Sequence, residues 1–282
     1  MKRTILLFIL IFTALMKIEA QYFTPVYVSM DKYKTLDSAY LKCIYKLTYV
    51  KDSLNPKKTT RIDMQTLLVG PKITKYFSQY LVDYNLKCSE LLKKGAKSIP
   101  SYFEQGTSGY EVFKNYPSDK FTVTELGSQT RENYLYEEAV PDLQWEMAQG
   151  IDTILSYPCQ KGTSTFRGRT YEAWFTPEIP ISNGPWKFGG LPGLILKVSD
   201  LQHNYIFECI GISTLKKKES INLYQVNYTP IDRKDLNKIN YRMHANYGAF
   251  SKSMGVELHM MSNGKEIDSK DIKLPYNPIE LN

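Results

Sequence analysis

Histidine is scarce in this chain of 282 residues, which has only three: His203, His244 and His259. They share no His-x-x-x-His or His-Glu-x-x-His spacing, so the helical zinc-ligand pattern is missing. Cysteine is nearly as sparse, with four residues and no Cys-x-x-Cys, which removes the zinc ribbon and the dithiol redox motif. Gly-x-Ser-x-Gly is absent, and with it the nucleophile elbow of the α/β-hydrolases. No Gly-Lys-Ser/Thr follows a glycine cluster, so a P-loop is excluded too. Past the N-terminus no apolar run reaches the roughly eighteen residues that a membrane-spanning helix needs. Internal repeats and low-complexity linkers are lacking as well.

Apolar residues do run together at the start. Lys2 and Arg3 precede an apolar stretch from Ile5 to Met16, and Ile18-Glu19-Ala20 offers a small residue for cleavage. This is the pattern of a secretory signal peptide over residues 1–20, cut near Ala20, with residues 21–282 as a single domain. No cysteine follows the apolar stretch to carry a lipid. The pattern predicts export. The formal net charge of +7 is dispersed, with Lys216-Lys217-Lys218 as its densest run, so nucleic acid is not an expected partner. Cys43, Cys88, Cys159 and Cys209 permit two disulfides in an oxidising compartment. All pairings stay open, and for Cys43 and Cys209, which lie in strand-like runs, a buried free thiol is the alternative.

Tyr40 to Val50 alternates Leu41, Cys43, Tyr45, Leu47 and Tyr49 with Lys42, Lys46 and Thr48, the period of a half-buried antiparallel strand. Arg61–Val69 closes a hairpin with it across the turn at Pro56. From Ile73 to Leu92 the apolar residues recur at three and four, which predicts an amphipathic helix ending at Lys93-Lys94-Gly95. Ser98 to Ser118 is polar and reads as a variable loop. Short strands are expected from Phe121 to Tyr157, separated by Pro141, Gly150 and Pro158. Gln160–Phe166 and Arg169–Phe175 make the clearest hairpin, with Gly168 supplying the positive φ of a two-residue turn. Gly193–Asp200 and Asn204–Ile212 make another, Asn222–Asn227 adds a strand, and Asp232 to Met254 reads as a second amphipathic helix stopped by Gly255. The expected fold class is α+β, mainly antiparallel β: a curved sheet or half-barrel with two amphipathic helices packed against it.

Glu137-Glu138 is the most prominent acidic pair, but neighbours on a strand point to opposite faces and cannot act together on one substrate. Gly184 to Val198, GPWKFGGLPGLILKV, gathers glycines ahead of an alternating run, Leu194, Leu196 and Val198 against Ile195 and Lys197. Glycines that feed a strand have no helix N-terminus to present to a phosphate. Pro192-Gly193 fits the central positions of a type II turn, with Gly193 in the positive-φ region, and Gly189-Gly190 allows close backbone approach. Tyr171 to Val198 resembles the signature of the GLPGLI family, exported proteins of the Bacteroidetes without an assigned activity. Gly190, Leu191, Pro192, Gly193, Leu194 and Ile195 spell that name. Tyr157–Lys161 (YPCQK), Phe166–Arg169 (FRGR) and Asn277–Leu281 (NPIEL) are similar to the same pattern, and the resemblance covers most of the mature chain. It implies export in a Gram-negative bacterium, so the periplasm or association with the outer membrane, and brings no catalytic residue.

Antiparallel strands with helices available to cover one face are also similar to the half-barrel of periplasmic lipoprotein carriers, a likeness of fold alone. Three functions follow as expectations. The first is a non-catalytic binding module for a lipid or another hydrophobic ligand, lined by Tyr171, Trp174, Trp186 and Phe188. The second is an interaction partner of an outer-membrane receptor or secretion complex, with Trp186 and Phe188 as its contact patch. The third is a carboxylate-based hydrolase, for which the chain offers no nucleophile motif and few histidines. Neither a cofactor nor a metal is expected.

Overall fold

Alternation puts Leu41, Cys43, Tyr45 and Leu47 on one face of β1 (Tyr33–Val50), and all four are buried in the computed structural model. The structure describes residues 27–100, 108–126, 132–253, 255, 260–262, 265–267 and 272–282. The expected signal peptide, its cut at Ala20, and His259 lie outside them. After β1 come α1 (Pro56–Thr59), β2 (Thr60–Val69), β3 (Thr74–Ser78), α2 (Gln79–Lys93), β4 (Tyr110–Lys114), β5 (Lys120–Glu125) and β6 (Asn133–Ala139). There follow β7 (Glu146–Ile154), β8 (Tyr157–Phe166), β9 (Arg169–Thr176), β10 (Leu194–Asp200), β11 (Tyr205–Tyr224) and β12 (Tyr228–Pro230). The chain ends with α3 (Arg233–Ala245), α4 (Tyr247–Ser253), β13 (Met260–Ser262) and β14 (Lys265–Ile267).

The first twelve strands form one open sheet in the order β12-β6-β5-β4-β3-β2-β1-β11-β10-β9-β8-β7, and β13 pairs with β14 separately. Its pairings are antiparallel apart from the short parallel contact of β12 with β6. The sheet does not close: β12 and β7 are its edges. Strand alternation gives it two apolar faces. The inner face carries Tyr45, Leu67, Tyr76, Val112, Tyr171 and Phe207, and Leu236 of α3 joins that cluster. The outer face carries Leu68, Phe77 and Phe113, joined by Leu81 and Val82 of α2.

Several expectations change. Ile73 to Ser78 is not the start of a helix, because Thr74–Ser78 is β3 and the helix begins at Gln79. Every residue of β3 is buried, with Tyr76 in the inner cluster and Phe77 in the outer one, so no period-two signature marks it. Ser78 then caps α2, its Oγ accepting from Leu81 N at 3.3 Å. Within the expected loop from Ser98 to Ser118, Tyr110–Lys114 is a strand between β3 and β5. Gly150 and Pro158 do not separate strands: β7 passes Gly150 with a register shift, and Pro158 lies in β8. Asn222 to Tyr224 is the end of β11, and the C-terminal helix breaks into α3 and α4 at Asn246.

The 190–195 motif also turns differently. Positive φ falls on Gly190 (88°), not on Gly193. Gly193 N donates to Leu191 O at 2.8 Å, an i to i+2 bond that closes a γ-turn around Pro192 in place of the type II turn. Gly193 is needed for a different reason: a Cβ there would stand 2.1 Å from Thr176 O. The four cysteines are buried, unbonded thiols.

Candidate functional site

Strand register lays the inner face out in rows. Cys43, Leu67, Tyr76, Val112, Val123 and Tyr136 stand opposite one another in successive pairs, an aromatic and aliphatic row. The adjacent row is polar: Tyr45 faces Gln65, Gln65 faces Ser78, Tyr110 faces Glu125, and Glu125 faces Tyr134. Asp63, opposite Leu47, stands just beyond it. Carboxyl, amide and hydroxyl groups thus occupy inward positions that alternation would give to Leu or Val.

Asp63 accepts from Ser78 Oγ at 2.9 Å, from Ser108 N at 2.8 Å and from Gln65 Nε2. Burial still pushes its carboxyl up to about 7 against those donors. Burial likewise pushes Glu125 up to about 7, opposed by hydrogen bonds from Asn240 and Tyr110. Asn240 Nδ2 donates to Tyr110 Oη at 3.2 Å, and the Tyr110 ring stands edge-on to Trp186 with centroids 5.5 Å apart.

Enclosed polar atoms on this face without a hydrogen-bond partner among the described residues include Tyr76 Oη, Glu125 Oε2 and Trp186 Nε1, with Ser164 Oγ and Arg169 Nε further along the sheet. Leaving such a group unpaired costs about 1–3 kcal/mol each. The other two tryptophans are served: Trp145 Nε1 donates to Gly189 O at 2.8 Å and Trp174 Nε1 to Glu172 Oε1 at 3.3 Å. Trp186 is also held at φ 49°, a left-handed conformation that costs a bulky residue about 1–2 kcal/mol. Strain and an orphaned N–H coincide on one buried side chain.

The two raised carboxyls do not form an acid–base pair. β2 and β5 are three strand spacings apart, about 14 Å at ~4.8 Å each. Two-carboxylate hydrolysis works at separations up to about 9.5 Å. Among the described residues no group of three or more His, Cys, Asp or Glu is placed to hold a metal ion.

The Gly184–Gly190 loop crosses the same face. Lys114 of β4 donates to Asn183 Oδ1 at 2.8 Å, and to Gly184 O and Phe188 O at 2.7 Å each. Burial pushes its pKa well down, while three oxygen acceptors call for all three N–H groups of the ammonium form. Phe188 packs edge-on against Tyr171 of β9 and Phe207 of β11, so the loop spans the sheet from β4 to β11. Beside it, the fully buried Lys187 ammonium pairs with Glu280 at 2.6 Å and Glu138 at 2.7 Å and meets Tyr136 Oη at 3.0 Å. Arg167 bridges the same two carboxylates, at 2.7 Å to each, and Arg233 reaches Glu280 at 3.1 Å. Burial would push Glu138 up, but the Lys187 and Arg167 charges hold it below the usual carboxylate range. Arg169 pairs with the buried Asp200 at 2.9 Å and donates to Asn277 Oδ1 and Pro278 O. The sequence pieces FRGR, GPWKF and NPIEL therefore meet in one buried network.

Residues 164–197 match a family model described as "Protein of unknown function (Porph_ging)". The matched stretch runs from β8 into β10 and contains all six motif residues, though the matching model does not carry the GLPGLI name. No curated protein matches the chain. Solved structures of PNGF-II in two crystal forms are similar at 13% and 12% identity, each with a TM-score of 0.45 over 74% of this chain. The chain spans about a third of the length of those structures, 34%.

Of the residues singled out for ligand binding, Tyr171, Trp186 and Phe188 sit in the inner core, 1%, 5% and 0% exposed. Trp174 is on the outer face of β9, partly buried, with the Lys161 ammonium 5.4 Å from its ring centroid. Tyr171 and Phe188 are in ring contact and share the inner cluster with Trp186, and Trp174 packs against that cluster, but Trp186 and Phe188 present no exposed contact patch. Glu137 and Glu138 do point to opposite faces: Glu137 pairs with Lys120 in solvent while Glu138 enters the buried network. Asp63, Tyr76, Glu125 and Asn240 were missed. The available signal was phase: Asp63 and Gln65 share a face with Leu67 and Val69, and Glu125 with Phe121 and Val123. A carboxyl in phase with a buried run is an inward carboxyl.

Proposed function

We propose that this protein is a non-catalytic binding module of the cell envelope, taking a small polar, hydrogen-bonding ligand at the polar end of the inner sheet face. The observation that carries this reading is the coincidence of three unpartnered buried atoms, Tyr76 Oη, Glu125 Oε2 and Trp186 Nε1, with two carboxyls raised to about 7. A ligand with hydroxyl or amide groups gives the indole N–H an acceptor and gives the tyrosine and Glu125 a partner of either kind. Tyr110 and Trp186 supply an aromatic wall beside those groups. A hydrophobic ligand has less support, since Tyr171, Trp186 and Phe188 spend their apolar surface on the core. Export rests on the N-terminal pattern of residues 1–20. The test is native mass spectrometry of the full chain exported by, and purified from, the cell of origin. The expected result is a bound small molecule that is lost on denaturation and depleted in Trp186→Phe and Tyr76→Phe. A ligand-free native mass, or occupancy equal in both variants and wild type, contradicts the reading.

A further inference from the structure

Cys43 lies on β1 and Cys209 on β11, the two longest strands, which pair along their length. The ladder is interrupted between them: Ile44 faces Gly211 but Tyr45 faces Cys209, so Ile210 is left unpaired. The two cysteines are diagonal neighbours on the inner face, one on either side of this β-bulge. Both are enclosed, 0% and 4% exposed; Cys209 Sγ donates to Gly211 O at 3.5 Å, and the two thiols perturb one another's ionisation, raising Cys43 and lowering Cys209. Cys159 lies on β8, three strand spacings from β11, about 14 Å by backbone at ~4.8 Å each. A disulfide tolerates no more than about 7 Å between Cα atoms. Cys88 is on α2, whose Leu81 and Val82 pack on the outer face, so the sheet stands between it and the inner pair.

We propose that Cys43 and Cys209 are the disulfide-forming pair of this chain, joining the two longest strands of the sheet, while Cys88 and Cys159 stay as thiols. Closure is a thiol–disulfide exchange. The two cysteines give up two protons and two electrons, the S–S bond forms, and a donor disulfide is reduced to a dithiol. Because both sulfurs are enclosed in the folded chain, the bond closes while the strands dock and not afterwards. The proposal is independent of the ligand-binding reading and needs only an oxidising disulfide during folding.

The test refolds the full chain in a buffer of oxidised and reduced glutathione and maps the product without reduction. The expected product is about 2 Da lighter than the reduced chain, with the Cys43 and Cys209 peptides linked and Cys88 and Cys159 open to alkylation after unfolding. A Cys88→Ser/Cys159→Ser double variant is expected to give the same link. Its reduction is expected to lower the thermal midpoint. Four alkylatable thiols in the refolded product, or a link that uses Cys88 or Cys159, overturns the proposal. Mapping the wild-type chain needs no variant to fold, so the outcome does not hang on substitution of a core residue.

Discussion

Replacing Gly193 with alanine asks backbone, and not a side chain, to give way. The added Cβ would stand 2.1 Å from Thr176 O, 2.7 Å from Thr176 C and 3.1 Å from Pro177 Cα. An unstrained carbon–oxygen contact is more than an ångström longer than the first of these. Thr176 faces Leu194 at the start of the β9–β10 pairing, so the strand ends must separate to admit the methyl group. Ordinary overpacking costs about 1–3 kcal/mol where side chains can repack. With rigid backbone on both sides the expected loss is larger, about 3–5 kcal/mol. Gly190 is the internal control. Its φ of 88° strains any L-residue, but a Cβ there would make only ordinary contacts, with Trp145 at 3.5 Å and Leu143 O at 3.9 Å. Gly190→Ala should therefore cost about 1–2 kcal/mol. Equilibrium unfolding in urea measures both from the shift in midpoint at constant slope. A Gly193→Ala protein within about 1 kcal/mol of wild type, or one more stable than Gly190→Ala, refutes the close-approach argument.

Lys187→Met should destabilise by about 3 kcal/mol, at the low end for a broken buried ion pair because Arg167 and Arg233 still face Glu138 and Glu280. Urea unfolding checks it, and adding Glu138→Gln to that variant should recover part of the loss. Glu125→Gln should leave stability near pH 4 almost unchanged and raise it at pH 8. The Glu125 carboxyl is raised from 4.5 to about 7 in the folded chain, so its contribution is fully present below pH 4.5 and lost as pH rises through 7. The ceiling is about 3 kcal/mol at ~1.4 kcal/mol per unit. Parallel stability curves for the two proteins across pH 4–8 would contradict the inward placement of this carboxyl.

How far the sequence could be read depended on how much of each element faced water. β1 and β2 alternate between core and solvent, so period two located them. Gly168 at φ 83° beside Arg167 at φ 49° is the two-residue turn that the β8–β9 hairpin implied. β3 and β4 were illegible because both their faces are covered: Thr74–Ser78 is buried throughout, and only Tyr110 of Tyr110–Lys114 is less than buried. A strand without a wet side loses its alternation, and five residues are too few for length to arbitrate. Gly193 could be seen to need glycine but not why, since Thr176 is distant in sequence. The buried network was half visible. FRGR, GPWKF and NPIEL stood out as motif pieces, yet only the fold brings Arg167, Lys187 and Glu280 within 2.7 Å of shared partners. The polar row was hidden for a different reason: it runs across strands, one residue from each.

The binding account is tested most directly at the Trp186 indole, the one tryptophan N–H without a partner among the described residues. Indole ¹H–¹⁵N resonances of the natively purified chain should be compared with those of the same sample after denaturation, removal of small molecules and refolding. The account predicts that the Trp186 resonance moves on stripping, that Trp145 and Trp174 stay put, and that adding back the extracted small-molecule fraction restores it. Three indole resonances unchanged by stripping would contradict a ligand at this site.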